Sequence, residues 1–382
     1  MIAAVIIFLI GLSPFISSLA FPALRLNYSL ILCFFLAVWL LRHRKAIAIP
    51  RPIGIALVCF LLSLAAAALF ARDKIASCKE FSRYITGAVL FMFAASIPRE
   101  GARKTIAVLT WGGILIGILA IYQFFFGFSH LGEYVLRGHR VSNFAMDYIQ
   151  QRRVFLPFIT PNILAGYLAM VLPLVFIEHK KIPWFILPVA AALILTKSLG
   201  GILSFLAALF VYGALRGRMK TGRLILLAAL MAVALGAVFA YRTSKTPAHL
   251  TPSHSTVMRL QYWQETAGII KSSVLAGVGP GNFNLRHSRY AHNSYLQMWA
   301  ESGLIGLLSL CWLVYLALKN GFRRLRDPGD NGLFSALLAA QAAFFLDNLV
   351  SFGFFLPEVS LVWWVLLGVT ASCRKELAEG CQ

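Results

Sequence analysis

"HNSYLQMWAESGLIGLLSLCWLVYLALKNGFRRLR", residues 292–326, sets a polar dipeptide ahead of an apolar run and closes that run with cations. Residues 303–318 carry no charge and approach the length that crosses a ~30 Å hydrocarbon layer. Lys319, Arg323, Arg324 and Arg326 then mark the inner side, because Lys and Arg beside a span resist translocation.

The rest of the chain repeats this pattern. Apolar residues make up 59% of 382 positions and charged ones 13%, with a mean hydropathy of +0.78. These values belong to a polytopic membrane protein and exclude a soluble multidomain one. Similar runs fall at 2–21, 27–41, 53–71, 84–97, 105–126, 158–177, 182–196, 200–215, 224–241, 333–347 and 359–372. The expected fold is an all-α polytopic membrane protein with about twelve transmembrane helices and a helical outside loop region. Several runs are short, and neighbouring helices or shifted boundaries absorb the shortfall.

Cation clusters recur in alternate loops: Arg42, Arg44, Lys45 and Arg51; Arg99, Arg103 and Lys104; Lys180 and Lys181; Arg216, Arg218, Lys220 and Arg223; Arg374 and Lys375. That side is read as cytoplasmic, with both termini on it. Met1 to Ala20 lacks a basic start and is read as a retained span. Cys33, Cys59 and Cys311 fall in spans and Cys373 and Cys381 inside, so no disulfide framework is expected. Without repeats or low-complexity tracts, residues 1–382 read as one membrane domain whose long outside segments are 127–157 and 242–302.

Those two segments hold cations where the orientation rule depletes them: Arg137, Arg140, Arg152, Arg153, Arg242, Lys245, Arg259, Lys271, Arg286 and Arg289. One reading rests them at lipid headgroups. The other is an anionic substrate at the outer surface, whose phosphate oxygens suit the Arg fork. The cations flank spans, so membrane lipids and not nucleic acid are the expected neighbours.

Within 242–302, Ser255 is placed to cap a helix carrying Arg259, Tyr262, Trp263 and Thr266 on one face. Gly277, Gly279, Pro280 and Gly281 then make a turn. "GVGPGN" is no nucleotide loop, because no strand precedes it. If 286–292 is helical, Arg289 and His292 are neighbours, and Arg289 favours the neutral imidazole. Earlier, Thr160 and Pro161 read as the cap and first residue of another helix, and Glu301 as the partner of a nearby Arg.

His292-Asn293, nine residues, then Gly303-Leu304-Ile305-Gly306 resembles the H-N-x9-G-x-x-G signature of the bacterial O-antigen ligase family. "MRLQYW", "GVGPGNF" and "RVFLPFITPNILAGYLAMVLP" (153–173) are similar to the same family, and together they cover about a third of the chain. The resemblance implies an inner-membrane enzyme with its active site facing the periplasm. It would move a glycan from undecaprenyl diphosphate to the lipid A core in lipopolysaccharide assembly, as a metal-independent inverting glycosyltransferase without cofactor. His292 would be the base that takes the proton of the acceptor hydroxyl. Arg259, with Arg286, Arg289, Arg153 and Lys197 as further candidates, would bind the diphosphate.

One departure stands out. Where the family often carries Ser-Arg-Gly, this chain reads "TKSLGG" (196–201), with Leu199 at the Arg position and Lys197 as the nearest cation. Residues 22–26 hold no carboxylate and the outside histidines lack an H-E-x-x-H spacing, so no metal is expected. An O-antigen polymerase and a protein oligosaccharyltransferase use the same donor. Polymerases often show R-x10-G in two outside loops, and neither long segment here does. A lipid-linked glycan transporter is the reading from another class. It would place ionisable groups at midspan, where Asp347 is the clear candidate.

Overall fold

The computed structural model describes residues 1–44, 47, 49–137, 143–177, 184–216, 222, 229, 233, 235–240, 243–244, 252–326, 329 and 331–372. Among these residues no strand occurs, and the expected all-α class is found. The N-terminal half runs through α1 (Ile2–Leu12), α2 (Pro22–His43), α3 (Arg51–Phe70), α4 (Lys74–Ser96), α5 (Arg99–Tyr122), α6 (Phe128–Leu136) and α7 (Asn143–Gln150). After these come α8 (Pro161–Val171), α9 (Ile186–Leu195), α10 (Leu199–Leu215), α11 (Pro252–Ser272), α12 (Ser294–Arg324), α13 (Asn331–Asp347) and α14 (Pro357–Ala371).

Four helical stretches are long and apolar enough to cross a membrane: Pro22–His43, Arg51–Phe70, Arg99–Tyr134 and Ser294–Arg324. Six shorter apolar helices accompany them. Two expected runs are shorter as α-helix because prolines interrupt them. Pro14 sits in the 3-10 turn Ser13–Phe15 that follows α1, and Pro173 in the turn Leu172–Phe176 that follows α8. Most of the expected span 224–241, residues 138–142 and 245–251 of the long segments, and several expected inner cations lie outside the described residues.

The core is built around α8, buried at every position but Asn162, and α14, buried at every position but Pro357. α10 and α13 pack on α8, while α4, α12 and α13 enclose α14. Trp363 and Trp364 fill the centre, and the Trp363 indole donates to Gln341 Oε1 at 2.8 Å, which pairs two polar groups that burial would otherwise penalise. Gly368 lets α14 approach α4 closely, because a Cβ there would meet the Phe91 carbonyl at 2.5 Å. The peripheral helices expose Phe34, Leu41, Leu62, Phe70 and Trp111, the apolar outer coat that lipid solvates.

The alternation of cation-rich and cation-poor loops sorts them onto two ends of the bundle. At one end Asp73 and Asn282 exchange hydrogen bonds, Arg153 binds the Thr196 carbonyl, and Ser18 N–H donates to Glu358. Asp73, Asn282, Arg153 and Glu358 come from segments expected outside, and Ser18 and Thr196 from the adjoining ends of expected spans. At the other end Arg99 donates to the Gly329 carbonyl and Asn320 to the Ala371 carbonyl.

The glycine turn meets a deliberate break in α12. Gly303 has φ 69° and ψ 179°, so the helix is interrupted there and the carbonyls before it need other donors. Val278 N–H supplies one to Ala300 O at 2.8 Å and Gly279 N–H one to Glu301 O at 2.9 Å. In the other direction Leu304 N–H donates to Val274 O at 2.9 Å. A side chain at 303 would overlap the Leu275 carbonyl. Glu301 accepts from Gly281 N–H and from Gln297 Nε2, both at 2.9 Å. It is thus held directly by an amide and a backbone N–H, and the arginine expected beside it, Arg83, acts on it through its charge.

Gly303→Ala should therefore destabilise the fold, since left-handed backbone alone costs an L-residue about 1–2 kcal/mol before the overlap is added. Gly268→Ala in α11, where a Cβ meets nothing within 4 Å, should be neutral or stabilising by up to about 1 kcal/mol. Thermal unfolding in detergent, followed by tryptophan fluorescence, separates the two, and equal midpoints would overturn the account.

Candidate active site

Asn293 and His292 divide the work of the dipeptide. The Asn293 side chain caps α12 by accepting from Tyr295 N–H at 3.0 Å and Leu296 N–H at 3.1 Å. His292 is left outside the helix with φ 51°, and its ring is held by aromatic contacts. Tyr262 stacks on it at 5.6 Å between centroids and Phe352 meets it edge-on at 4.8 Å. Phe352 is fixed in turn by Tyr290, stacked at 4.1 Å. Among the described residues the imidazole makes no hydrogen bond, so both nitrogens are available to a ligand.

Burial, and then the charge of Arg259, push the His292 imidazole down to about 4. The ring is neutral at pH 7, as expected, but from a different cause. Residues 286–292 are irregular and not helical, so Arg289 is not its helical neighbour. Burial pushes the Tyr290 phenol up, and Arg83 and Arg289 partly oppose this. The side chains of Arg286, His287 and Arg289 are exposed, and the Arg286 backbone N–H donates to Glu265 Oε2 at 3.2 Å.

α11 carries Arg259 one turn before Tyr262, as the face pattern anticipates, although the helix starts at Pro252 and encloses Ser255 in its first turn. Arg259 lines a cavity of about 500 Å³ with Arg153, Asn162, Ser198, Leu199, Asp347 and Ser351. Burial lowers the Arg259 guanidinium and Asp347 opposes this, so the two form an electrostatic pair across the cavity. Among the described residues Arg259 makes no hydrogen bond or ion pair, which leaves its fork open.

Arg153 is held differently. Its Nε donates to the Thr196 carbonyl at 2.9 Å and its Nη2 to Asn162 Oδ1 at 3.0 Å. Asn162 comes from the start of α8, where Thr160 accepts from Ile163 N–H and Pro161 occupies the first position, as read from sequence. Lys197 does not line the cavity. With φ 51° it turns its ammonium to the Gln151 carbonyl at 2.7 Å. Leu199 does face the cavity, just after Ser198 caps α10. At this wall the cation is Arg153.

The structure thus brings Arg259 and Arg153 to one cavity and leaves Arg286, Arg289 and Lys197 off it, while His292, which does not line the cavity, is tied to it through the charge of Arg259. It adds Asp347, Ser351 and Asn162 to the site and Phe352 beside it. The signal for Asp347 and Ser351 was "DNLVS" (347–351), polar residues directly after an apolar run. Among the described residues no three His, Cys, Asp or Glu side chains group as a metal site.

Residues 184–311 match the family described as O-Antigen ligase. The matched stretch contains Arg259, His292 and Gly303, while Arg153 and Asp347 lie beyond it. No curated protein matches the chain in sequence. The match covers about a third of the chain, and together with the apolar helices it points to a multi-pass membrane protein.

Removing the guanidinium in Arg259→Gln should raise the His292 pKa above about 4 while burial keeps it below 6.5. The pH dependence of diethyl pyrocarbonate modification, in protein whose other histidines are replaced, reads this directly. An unchanged titration would remove Arg259 from the field at His292.

Proposed function

We propose that this chain, with its O-antigen ligase match at 184–311, transfers a glycan from undecaprenyl diphosphate to a sugar hydroxyl of the lipid A core. The observation that carries the reading is a neutral imidazole, His292, standing in the field of a guanidinium, Arg259, that lines a cavity with Arg153 and Asp347. The protein would sit in a bacterial inner membrane with about twelve spans, both termini cytoplasmic and the cavity facing the periplasm.

In the step proposed, a nitrogen of His292 accepts the acceptor hydroxyl proton as its oxygen attacks the anomeric carbon. The bond from that carbon to the diphosphate oxygen breaks, and the electron pair leaves with the diphosphate. Arg259 and Arg153 neutralise the charge that develops there, in a site where few waters compete. Direct displacement inverts the anomeric centre, and no metal is needed because the arginines carry the leaving-group charge. A base with pKa near 4 is weak at pH 7. Bound diphosphate offsets the Arg259 charge and so raises the basicity of His292 only when donor is present. Polymerase chemistry would use the same donor, and the acceptor decides between them.

The deciding experiment is complementation of a ligase-deficient strain, read on a lipopolysaccharide gel. Wild-type protein should restore long-chain ladders. Repair of a polymerase defect instead would reassign the acceptor. His292→Ala should insert and express normally yet leave lipid-linked polymer unligated, since loss of a general base costs about 10²–10⁴ in rate. The exposed His287→Ala should keep activity, and a full ladder from His292→Ala would remove the residue from catalysis.

In purified protein Arg259→Lys should lose most donor turnover, because a point charge cannot bind two phosphate oxygens at once. Transfer should continue in excess EDTA. Activity lost to chelation and restored by Mg²⁺ would show that a metal shares the leaving-group charge.

A further inference from the structure

A second cavity, of about 320 Å³, lies between α12, α13 and α14 and shares a wall with the arginine cavity. The two meet at consecutive residues, with Asp347 lining the first and Asn348 the second. Ser294 locks this wall through its hydroxyl, which donates to Asn348 Oδ1 at 2.6 Å and lies 3.3 Å from the Ser351 carbonyl. His292 stands two residues before Ser294, at the end where α12 begins and α13 finishes. The second cavity is walled by Leu307, Leu310, Val314, Phe345 and Trp363, and no charged side chain lines it. Its polar groups Ser294, Tyr295 and Asn348 are at the His292 end, with the Tyr315 phenol at the other.

Its length and polarity restrict what it can hold. Leu307 to Leu318 is about 17 Å of helix, close to the ~15 Å depth of one leaflet's hydrocarbon. Beyond this a separate cavity starts at Tyr315 and Leu318 and ends on Lys319, Arg323 and Arg326, the charge expected for lipid of the opposite leaflet. An uncharged mouth suits sugar hydroxyls, and a diphosphate would find no cation there.

We propose that this groove binds an acyl chain of the glycolipid acceptor, so that donor diphosphate and acceptor lipid reach His292 from opposite sides of the Asp347–Asn348 wall. The assignment rests on the ligase reading above, and it adds which lipid occupies which side. The groove is a solvation site for hydrocarbon, worth about 0.8 kcal/mol per buried methylene, and its contribution is to acceptor affinity and not to the chemical step.

Leu310→Trp and Val314→Trp fill the groove and test this in the full-length protein in nanodiscs. With purified donor and acceptor, KM for acceptor should rise about tenfold, the equivalent of two buried methylenes, while kcat and donor KM stay within about twofold. Independently of any variant, an acceptor carrying a diazirine in its acyl chain should crosslink to residues 307–318 of the wild-type protein. Excess unlabelled acceptor should compete, and phosphatidylglycerol should not.

A rise in donor KM instead would give the groove to the polyprenyl chain, and crosslinking competed by phosphatidylglycerol would make it an ordinary lipid site. Either result overturns the assignment, as do unchanged kinetics or absent crosslinking. Wild-type protein that transfers no glycan would defeat the ligase reading itself, a failure visible before any variant is made.

Discussion

The active-site end depends on an exchange of main-chain hydrogen bonds between the turn 274–281 and the break in α12 at Gly303. A helix buried in apolar surroundings cannot leave carbonyls unsatisfied, so the break is tolerable only because Val278 and Gly279 supply donors to Ala300 and Glu301. That docking fixes both ends of the 281–292 segment. It therefore sets where His292 stands, and through the packing of α11 on α12 it sets where Tyr262 and Arg259 reach it. Gly303, the first glycine of the GLIG stretch, is in this light structural.

Much of the scaffold was legible in sequence because membrane insertion reduces to hydropathy and cation placement. The all-α class, the cap at Thr160, the helix under Arg259 and the glycine turn all follow from local patterns. Helix lengths in the α1 and α8 runs did not, because Pro14 and Pro173 act on hydrogen bonds and leave hydropathy untouched. Of the site, His292 and Arg259 were legible through spacing. Asp347 was noticed as a charge in an apolar run, but its pairing with Arg259 needs contact between segments some ninety positions apart, about which local pattern is silent. Arg286 and Arg289 were proposed from proximity in sequence, and an irregular backbone turns both to the surface.

The electrostatics explain why a histidine can serve at such a place. Water and lipid headgroups would leave an exposed imidazole to titrate near neutrality, where part of the population is protonated and inert as a base. Stacking between Tyr262 and Phe352 removes that exposure, and the nearby guanidinium disfavours a second positive charge. The same guanidinium that lines the cavity thus disfavours a proton on the neighbouring ring.

The helix buried from Glu358 onward at the centre, α14, is also the last helix described along the chain. Its Glu358 accepts hydrogen bonds from Ser17 and Ser18 beside the first helix, and its Trp364 lies against Gly87 of α4. Chain growth therefore lays down the wall before the pillar. Until α14 leaves the translocon, its slot must be filled by lipid or lie collapsed, and Phe352, which arrives just ahead of it, cannot yet press on the histidine ring. The aromatic contact on the His292 ring is in this way tied to the docking of α14, which follows Phe352 closely along the chain.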